Sequence, residues 1–350
     1  MTDLSTLPLV TILLPVRNEA AFIARCLGAV LAQDYPADRL EVLVADGESE
    51  DGTPDLIRAL PGDERVRIVP NPARIQAAGL NLLIREAQGD ILVRVDGHTL
   101  IAPDYVRACV NALRETGAWN VGGPMRPEGT TPMGRAIAAA GMSPFAVPSA
   151  FHVSAAAAFT DTVYLGAWPR WVFDRVGGYN EHVGVNEDYE LNVRIRKAGG
   201  TVYLTPAIQS VYYGRQTLGA LGRQYRRYGQ SKVKTLSAHP NSVRPRHLVA
   251  PALVAALATG FPLAVFLRPI RFLTALLVLA YSAATLLASL DAASKSGWAL
   301  LPRLPAVFAT MHLSWGAGFW MGLVREGALR VRQAAARRTA DRNPGSGRYP

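Results

Sequence analysis

The strongest constraint on the fold is a regular alternation of short apolar runs and amphipathic segments over the first hundred residues. The run from Val10 to Pro15 is apolar and β-branched, which is typical of a strand buried in a parallel sheet. Further apolar runs, separated by segments with apolar residues at helical spacing, lie at 41–45, 66–69 and 91–95. Strands that alternate with helices predict βαβ units, so we expect an α/β domain with a mostly parallel sheet.

Polar residues follow three of the predicted strands. Arg17 and Glu19 come after the first strand, Asp46 ends the second, and Asp96 and His98 come after the fourth. Open parallel sheets bind ligands beyond the carboxyl ends of their strands, so we expect these groups to share a site. There the Asp46 carboxylate would accept hydrogen bonds from a nucleobase or ribose, although an ordinary solvated loop gives the same pattern.

Asp96 and His98 have the composition of a metal site. A carboxylate suits Mg²⁺ or Mn²⁺, and an imidazole shifts the preference toward Mn²⁺. A divalent cation held there would bridge a diphosphate and neutralise the charge of a leaving group. An Asp-Gly pair after a strand is also common as a plain turn, so both interpretations stay open.

Glu187 and Asp188 open a predicted helix after a Gly-Gly loop at 177–181. Carboxylates in a first helical turn are favoured by the helix dipole, which is a sufficient structural reason for both. A hydroxyl that attacks an anomeric carbon also needs a carboxylate base, and Asp188 is our candidate. Trp168 and Trp171, before that loop, would either stack on a sugar or pack in the core.

Charge almost disappears between residues 248 and 324, while cations gather at 215–246 and 325–348 on either side. We predict three membrane segments, at 248–267, 272–290 and 304–324, with a helical core domain as the alternative. Cations that flank a lipid-length block favour an anionic membrane surface, so the net charge of +10 does not indicate nucleic acid. On the basic helix, Gln224 and Arg227 lie one turn apart, and a guanidinium there would suit a diphosphate.

Taken together, these residues resemble glycosyltransferase family 2, whose members have the GT-A fold, over roughly residues 8–235. Pro15-Val-Arg-Asn-Glu19 is similar to the family's opening Pro-x-x-Asn-Glu motif, and Asp46 matches its nucleotide-binding aspartate. Asp96-Gly-His98 stands where the family has Asp-x-Asp. The resemblance implies that Pro15, Arg17, Glu19, Asp46 and Asp96 bind a nucleotide-sugar donor, for which UDP is the expected nucleotide.

Two later motifs extend the resemblance. Glu187-Asp188 matches the family's Glu-Asp pair, whose aspartate is the expected base. Gln224-x-x-Arg227-Tyr228 is similar to the Gln-x-x-Arg-Trp motif of membrane-bound members, which contacts the donor diphosphate. The chain departs from the family at His98, which replaces an aspartate, and at Tyr228, which replaces a tryptophan. The combination is similar to succinoglycan-type bacterial exopolysaccharide glycosyltransferases, which implies a lipid-linked acceptor.

These observations predict an inverting, Mn²⁺- or Mg²⁺-dependent glycosyltransferase of the bacterial plasma membrane, multi-pass and with its catalytic domain facing the cytoplasm. The predicted organisation is a GT-A domain at 1–210, basic interfacial helices at 211–247, a membrane region at 248–324 and a basic tail at 325–350. Three spans would export that tail, against the positive-inside tendency. A transferase acting on polyprenyl phosphate and a non-catalytic nucleotide-binding scaffold remain as alternatives.

Overall fold

The structure is a computed structural model and describes residues 7–60, 65–146, 156–182, 187–238 and 247–342. The chain forms two compact units. The first contains residues 1–128 and 148–214, and the second contains residues 129–147 and 215–350. The second unit therefore includes a segment, 129–147, that lies within the predicted catalytic domain. The predicted four-part organisation itself stays a prediction.

The first unit is built on two sheets. Within the described residues the strands are β1 Val10–Val16, β2 Leu40–Asp46, β3 Val66–Pro70, β4 Ile91–Arg94, β5 Thr99–Ile101, β6 Asn120–Gly123, β7 Met125–Glu128, β8 Ala158–Phe159, β9 Tyr164–Pro169, β10 Val202–Leu204 and β11 Ser210–Tyr213. The larger sheet has the order β3-β2-β1-β4-β9-β6-β10-β8, and the smaller sheet has the order β5-β11-β7. Strands β1, β2, β3 and β4 are mutually parallel, whereas β9 runs antiparallel to both β4 and β6.

Helices cover both faces of the larger sheet. They are α1 Ile23–Leu31, α2 Thr53–Arg58, α3 Gln76–Glu86, α4 Tyr105–Thr116, α6 Trp171–Val176 and α7 Glu187–Lys197. Ile12 and Leu14 of β1 join a core with α1 and α4, while Leu13 joins a second core with α3, α6 and α7. Side chains alternate across a strand, so one apolar run supplies both cores. This explains why β1 is apolar at consecutive positions, and full burial of each such side chain contributes about 1.5–3 kcal/mol.

The observed elements agree closely with the sequence prediction over the first hundred residues. The run predicted as a strand at 41–45 is β2, and the helix predicted at 74–87 is α3, each differing by at most two residues at an end. The expected mostly parallel α/β sheet is present. The antiparallel insertion of β9 between β4 and β6 was not predicted, because a short apolar run carries no information about strand direction.

The second unit is helical, with α5 Pro132–Gly141, α8 Leu218–Ala238, α9 Val249–Phe266, α10 Arg268–Ser296 and α11 Leu304–Arg342. Its core joins α5 to residues of α8, α10 and α11. Helices α8 and α11 approach to backbone contact, since a Cβ placed on Gly229 or Gly318 would collide with the other helix. Glycine permits such close packing of helices.

Two described helices, α9 and α10, are long and apolar enough to cross a membrane by length and composition. Large apolar side chains on them are open to the surroundings, with Phe266 81% exposed and Leu287 67% exposed. The third predicted segment, 304–324, lies in α11 and is not among the described helices that meet this description. Its residues Leu304, Val307 and Phe308 are fully buried in the core of the second unit. The burial of these residues favours a core helix for segment 304–324, and a third membrane span is not supported.

Candidate active site

The first candidate residues meet at the carboxyl edge of β1, β2 and β4. Strand β1 lies between the other two, and Val16 at its end is paired with Asp46. Neighbouring strands are about 4.8 Å apart, so β2 and β4, on either side of β1, run about 10 Å apart. Asp46 and the segment that carries Asp96 thus flank the end of β1, as expected for one extended ligand.

The loops after β1, β2 and β3 each contain a residue with positive φ, and hydrogen bonds between the loops hold them. Asn18, Glu48 and Arg74 have φ values of 56°, 53° and 58°, and one follows each of β1, β2 and β3. The Asn18 side chain accepts a hydrogen bond from the amide of Glu50 at 2.9 Å, and Arg74 Nε donates to Glu48 Oε2 at 2.6 Å. Such conformations cost about 1–3 kcal/mol each and persist where the surrounding structure fixes them, commonly at ligand sites.

The candidate donor-binding residues differ in their exposure. Asp46 Oδ1 accepts a hydrogen bond from Ser49 Oγ at 2.6 Å, and the Asp46 residue is partly exposed. Arg17 is exposed, and its Nη1 donates to the carbonyl oxygen of Arg74 at 3.3 Å. Pro15 is buried within β1, opposite Ala45. Pro15 therefore shapes the strand, and any contact of this motif with a donor falls to Arg17 and its neighbours.

Glu19 and His98 form a pair at the end of β1. Glu19 Oε1 lies 2.8 Å from His98 Nδ1, and the His98 ring packs edge-on against Tyr212 with centroids 5.1 Å apart. Gly97 permits this approach, because a Cβ there would lie 3.0 Å from Glu19 Cγ. Histidines that bind metals usually donate their other ring N–H to a carboxylate, which orients the ring. Glu19 gives His98 the carboxylate partner of such an arrangement.

Arg94, the last residue of β4, joins two of the predicted acidic groups. Its side chain is 4% exposed, and its Nε donates to Asp96 Oδ1 at 2.8 Å while Nη2 donates to Asp96 Oδ2 at 3.2 Å. Its Nη1 donates to Asp188 Oδ1, and Glu187 Oε1 lies 3.9 Å from Nη2. The residues predicted as metal ligand and base, Asp96 and Asp188, are therefore bound to one guanidinium.

The Asp188 carboxyl is electrostatically unusual. Burial raises its pKa from 3.8 to about 7, and the negative charges of Glu187 and Asp96 act in the same direction. Arg94 opposes this rise without cancelling it. A general base works best when its pKa lies near the working pH, so the environment of Asp188 suits proton abstraction near neutrality.

Helix α7, which carries Asp188, is bound to the sheet through Asn192, one helical turn after Asp188. Asn192 Oδ1 accepts a hydrogen bond from Asn120 Nδ2 at 2.8 Å, and Asn192 Nδ2 donates to Thr162 Oγ1 at 2.9 Å. Asn120 and Asn192 are both buried. Arg194 donates to the carbonyl oxygen of Gly178 at 2.7 Å, which ties α7 to the Gly-Gly loop. These contacts set the position of Asp188 without touching it.

Sequence reasoning missed Arg94, Asn192 and Tyr179. Tyr179 is buried in the Gly-Gly loop, with its ring centroid 6.0 Å from the Arg94 guanidinium carbon, and Asn81 binds both its amide and its carbonyl group. One signal was available, because Arg94 is the only charged residue of the run 91–95. A charge in a buried strand requires a partner of opposite charge.

The remaining candidates are Gln224, Arg227 and Trp168. Gln224 and Arg227 are on α8 of the second unit, where Gln224 Nε2 donates to Tyr228 Oη at 2.8 Å and Arg227 is exposed. Their role in donor binding stays a prediction. Trp168 is 1% exposed and packs in the core with Phe173 and Tyr179, so it is not available to stack on a sugar.

The donor set fits a divalent cation that keeps most of its coordination for a ligand. Among the described residues no group of three or more His, Cys, Asp or Glu side chains is placed to hold a metal ion. Asp96 and the Glu19-supported His98 would supply two ligands. Mg²⁺ is commonly held by one or two carboxylates together with substrate phosphates. Both Asp96 oxygens bind Arg94, so a cation here would share that carboxylate with a guanidinium.

Comparison with known proteins identifies the family. The family model for glycosyl transferase family 2 matches residues 11–145. The succinoglycan biosynthesis protein ExoA of Rhizobium meliloti is 32% identical over 325 residues, which cover 89% of this chain and 94% of that protein. A dolichyl N-acetyl-α-D-glucosaminyl phosphate 3-β-D-2,3-diacetamido-2,3-dideoxy-β-D-glucuronosyltransferase of Methanococcus voltae is 24% identical over 90% of this chain and 97% of its own length.

Among solved structures, the mannosyltransferase PcManGT from Pyrobaculum calidifontis, in complex with GDP-Man and Mn²⁺, is similar at a TM-score of 0.53 and 25% identity. The match covers 84% of this chain and 88% of that chain. It extends the likeness to the GT-A fold beyond the segment that the family model matches. With these relatives and the sheet-edge site described above, the chain belongs to glycosyl transferase family 2.

Proposed function

We propose that this protein is an inverting, divalent-metal-dependent glycosyltransferase that transfers a sugar from a nucleotide-diphosphate donor to a lipid-linked saccharide, in bacterial cell-surface or exopolysaccharide synthesis. The observation that carries the proposal is the Arg94 cluster. In that cluster one guanidinium binds both Asp188, our candidate base, and Asp96, which we match to the family's Asp-x-Asp motif.

In the proposed reaction Asp188 accepts the proton of an acceptor hydroxyl as that oxygen attacks the anomeric carbon. The new glycosidic bond forms while the bond from the anomeric carbon to the donor phosphate breaks, and the nucleoside diphosphate leaves. A single displacement inverts the anomeric configuration. A carboxylate with a pKa of about 7 combines adequate basicity with a useful ionised fraction at neutral pH.

Donor binding is proposed for the sheet edge. Asp46 would accept hydrogen bonds from the base or ribose, and Arg17 would contact the phosphates. Asp96 and His98 would hold the metal, with Glu19 orienting the imidazole. A bound Mn²⁺ or Mg²⁺ neutralises negative charge on the diphosphate leaving group. Gln224 and Arg227 are proposed as further diphosphate contacts, by resemblance to the membrane-bound members.

The lipid-linked acceptor is proposed from two independent features. Helices α9 and α10 expose large apolar side chains over lengths that suit a bilayer. The name of the Methanococcus voltae relative describes transfer to a sugar carried on dolichyl phosphate. An acceptor embedded in the membrane would reach a catalytic unit that is anchored there, and UDP is our expectation for the donor nucleotide.

A membrane hairpin of α9 and α10 accounts for the charge distribution better than three spans. Two crossings return the chain to its starting side, so the cation-rich segments 215–246 and 325–348 would both face the cytoplasm. We propose this arrangement for the plasma membrane, with the catalytic unit on the same side. It removes the conflict that three predicted spans create with the positive-inside tendency.

A polyprenyl-phosphate glycosyltransferase is the nearest rival, and it would use a lipid phosphate as the nucleophile. A phosphate oxygen needs little help from a base, whereas a hydroxyl needs a group such as Asp188. The raised pKa of Asp188 therefore favours a hydroxyl acceptor. A non-catalytic scaffold would have no use for that carboxyl.

The proposal is tested by a screen of nucleotide sugars with the full-length protein, Mn²⁺ and bacterial lipid extracts. We expect one donor to release nucleoside diphosphate and to label an extractable lipid, and we expect Asp188→Asn and Asp96→Ala to abolish both signals. Full transfer by Asp188→Asn would favour a phosphate acceptor. No release with any donor would favour the scaffold.

A further inference from the structure

Arg94 is the most deeply buried charge at the site, and its placement is specific. It ends β4, the strand next to β1, and its side chain is 4% exposed. Removing a guanidinium from water costs several kcal/mol, which only close carboxylate partners offset. Arg94 has three such partners, Asp96, Glu187 and Asp188.

The partners of Arg94 come from separate parts of the chain. Asp96 lies two residues further along the same segment, whereas Asp188 lies 94 residues away in the first turn of α7. Arg94 Nε and Nη2 bind the two oxygens of Asp96, and Nη1 binds Asp188 Oδ1. A planar guanidinium presents its donors in fixed directions, so it sets both the distance and the relative orientation of two bound carboxylates.

We propose that Arg94 is a positioning residue that holds the donor-side carboxylate of Asp96 and the base Asp188 in register for transfer. This inference rests on the proposed function, because it takes the roles of Asp96 and Asp188 from it. Arg94 does not touch the reacting atoms in this account. It acts through the two carboxylates. A lysine at this position would keep the positive charge but would lack the planar set of N–H donors, so it would orient the carboxylates only in part.

The alternative is that Arg94 is a structural ion pair with no bearing on the geometry of the reaction. Loss of one member of a buried ion pair typically destabilises a protein, so a fall in activity alone would not separate the two explanations. The contacts of α7 with Asn120 and the Gly-Gly loop are independent of Arg94. The body of α7 should therefore stay folded when Arg94 is replaced.

The first test measures hydrogen exchange in full-length Arg94→Met and Arg94→Lys. If Arg94 positions the base, Arg94→Met accelerates exchange of the amides of residues 191–193, which bond to the carbonyl groups at the start of α7, and leaves α3 and α4 unchanged. Arg58→Met, which removes an exposed arginine paired with Asp55, is the matched control and should change neither. Unaltered exchange at the start of α7, or a uniform increase across the first unit, would overturn the proposal.

The second test is steady-state transfer. We expect Arg94→Met to lower kcat by about 100-fold or more while donor KM changes by less than about tenfold, and Arg94→Lys to recover part of kcat. If kcat of Arg94→Met falls only in proportion to the fraction of folded protein, or stays at the wild-type value, Arg94 is not a positioning residue. Asp188→Asn separates the two claims. If that variant transfers normally, the proposed base is wrong; if it is inactive while Arg94→Met is normal, only the role of Arg94 is wrong.

Discussion

The carboxyl of Asp188 makes activity and stability depend on pH in opposite directions. Burial beside Glu187 and Asp96 raises its pKa from 3.8 to about 7, so the native protein holds a proton that the unfolded chain loses near pH 4. Stability from this group is therefore present at low pH and falls as pH rises from about 4 to about 7. Catalysis needs the ionised carboxylate, so activity rises over the upper part of the same range.

The expected magnitudes follow from the shift. With a pKa of about 7, about one tenth of Asp188 is ionised at pH 6 and about nine tenths at pH 8. At about 1.4 kcal/mol per pKa unit, a shift of this size would lower the free energy of unfolding by no more than about 4 kcal/mol when Asp188 is ionised. Because 31% of the Asp188 side chain is exposed, solvent screening reduces this energy. We expect ionisation of Asp188 to lower the free energy of unfolding by about 1–2 kcal/mol.

The assay compares wild type with Asp188→Asn, in which the side-chain oxygen still accepts a hydrogen bond from Arg94. Transfer by the wild type should rise about ninefold from pH 6 to pH 8, and the variant should lose about 100-fold or more at pH 8. The variant should also gain about 1–2 kcal/mol of stability relative to wild type between pH 4.5 and pH 8. Asp174→Asn, an exposed carboxylate on α6, should change neither quantity. A wild-type rate that is flat from pH 6 to pH 8, or a less stable variant at pH 8, would show that Asp188 is not a buried base with a raised pKa.

The site and the membrane helices give further predictions. Asp96→Ala should abolish the Mn²⁺-dependent part of nucleoside diphosphate binding in calorimetry, and unchanged binding would remove Asp96 from the metal site. Asp46→Asn should raise donor KM about tenfold with little change in kcat, because it weakens binding that the ground state and transition state share; an effect on kcat alone would contradict this. Replacing the exposed Phe266 and Phe272 by aspartate should release the protein from liposomes in flotation assays, and undiminished flotation would argue against the α9–α10 hairpin.

The sheet was predictable because local patterns determine it. Burial on both faces of β1 leaves a continuous apolar run, and the helices that follow it show an apolar period of about 3.6 residues. The place of β9 was not predictable in this way. Its position depends on pairing with β4 and β6, which are distant in the sequence, and its direction has no local signal.

The candidate site was predicted only in part, for a related reason. Asp96 and Asp188 stand out as carboxylates at the end of a strand and the start of a helix, and structure brings them together. Arg94, which joins them, belongs to a run that reads as a plain buried strand. Its role depends on a contact across 94 positions, which spacing along the chain does not encode. Asn192 was missed because a polar residue within a helix is ordinarily assigned to the solvent face.

The segment 304–324 shows the limit of composition in the second half of the chain. Its lack of charge predicted a membrane span, yet Val307 and Phe308 pack against the core of the second unit. Lipid and a protein core select the same apolar side chains. The burial of these side chains by α5, α8 and α10 distinguishes the two, and it depends on the fold.

The anomeric configuration of the transferred sugar shows whether transfer proceeds by a single displacement. Full-length protein would be incubated with its donor and a purified lipid-linked acceptor, and the product linkage would be assigned by NMR. We expect an α-linked donor to give a β-linked product, with one nucleoside diphosphate released for each sugar transferred. An α-linked product would contradict the single displacement in which Asp188 serves as the base.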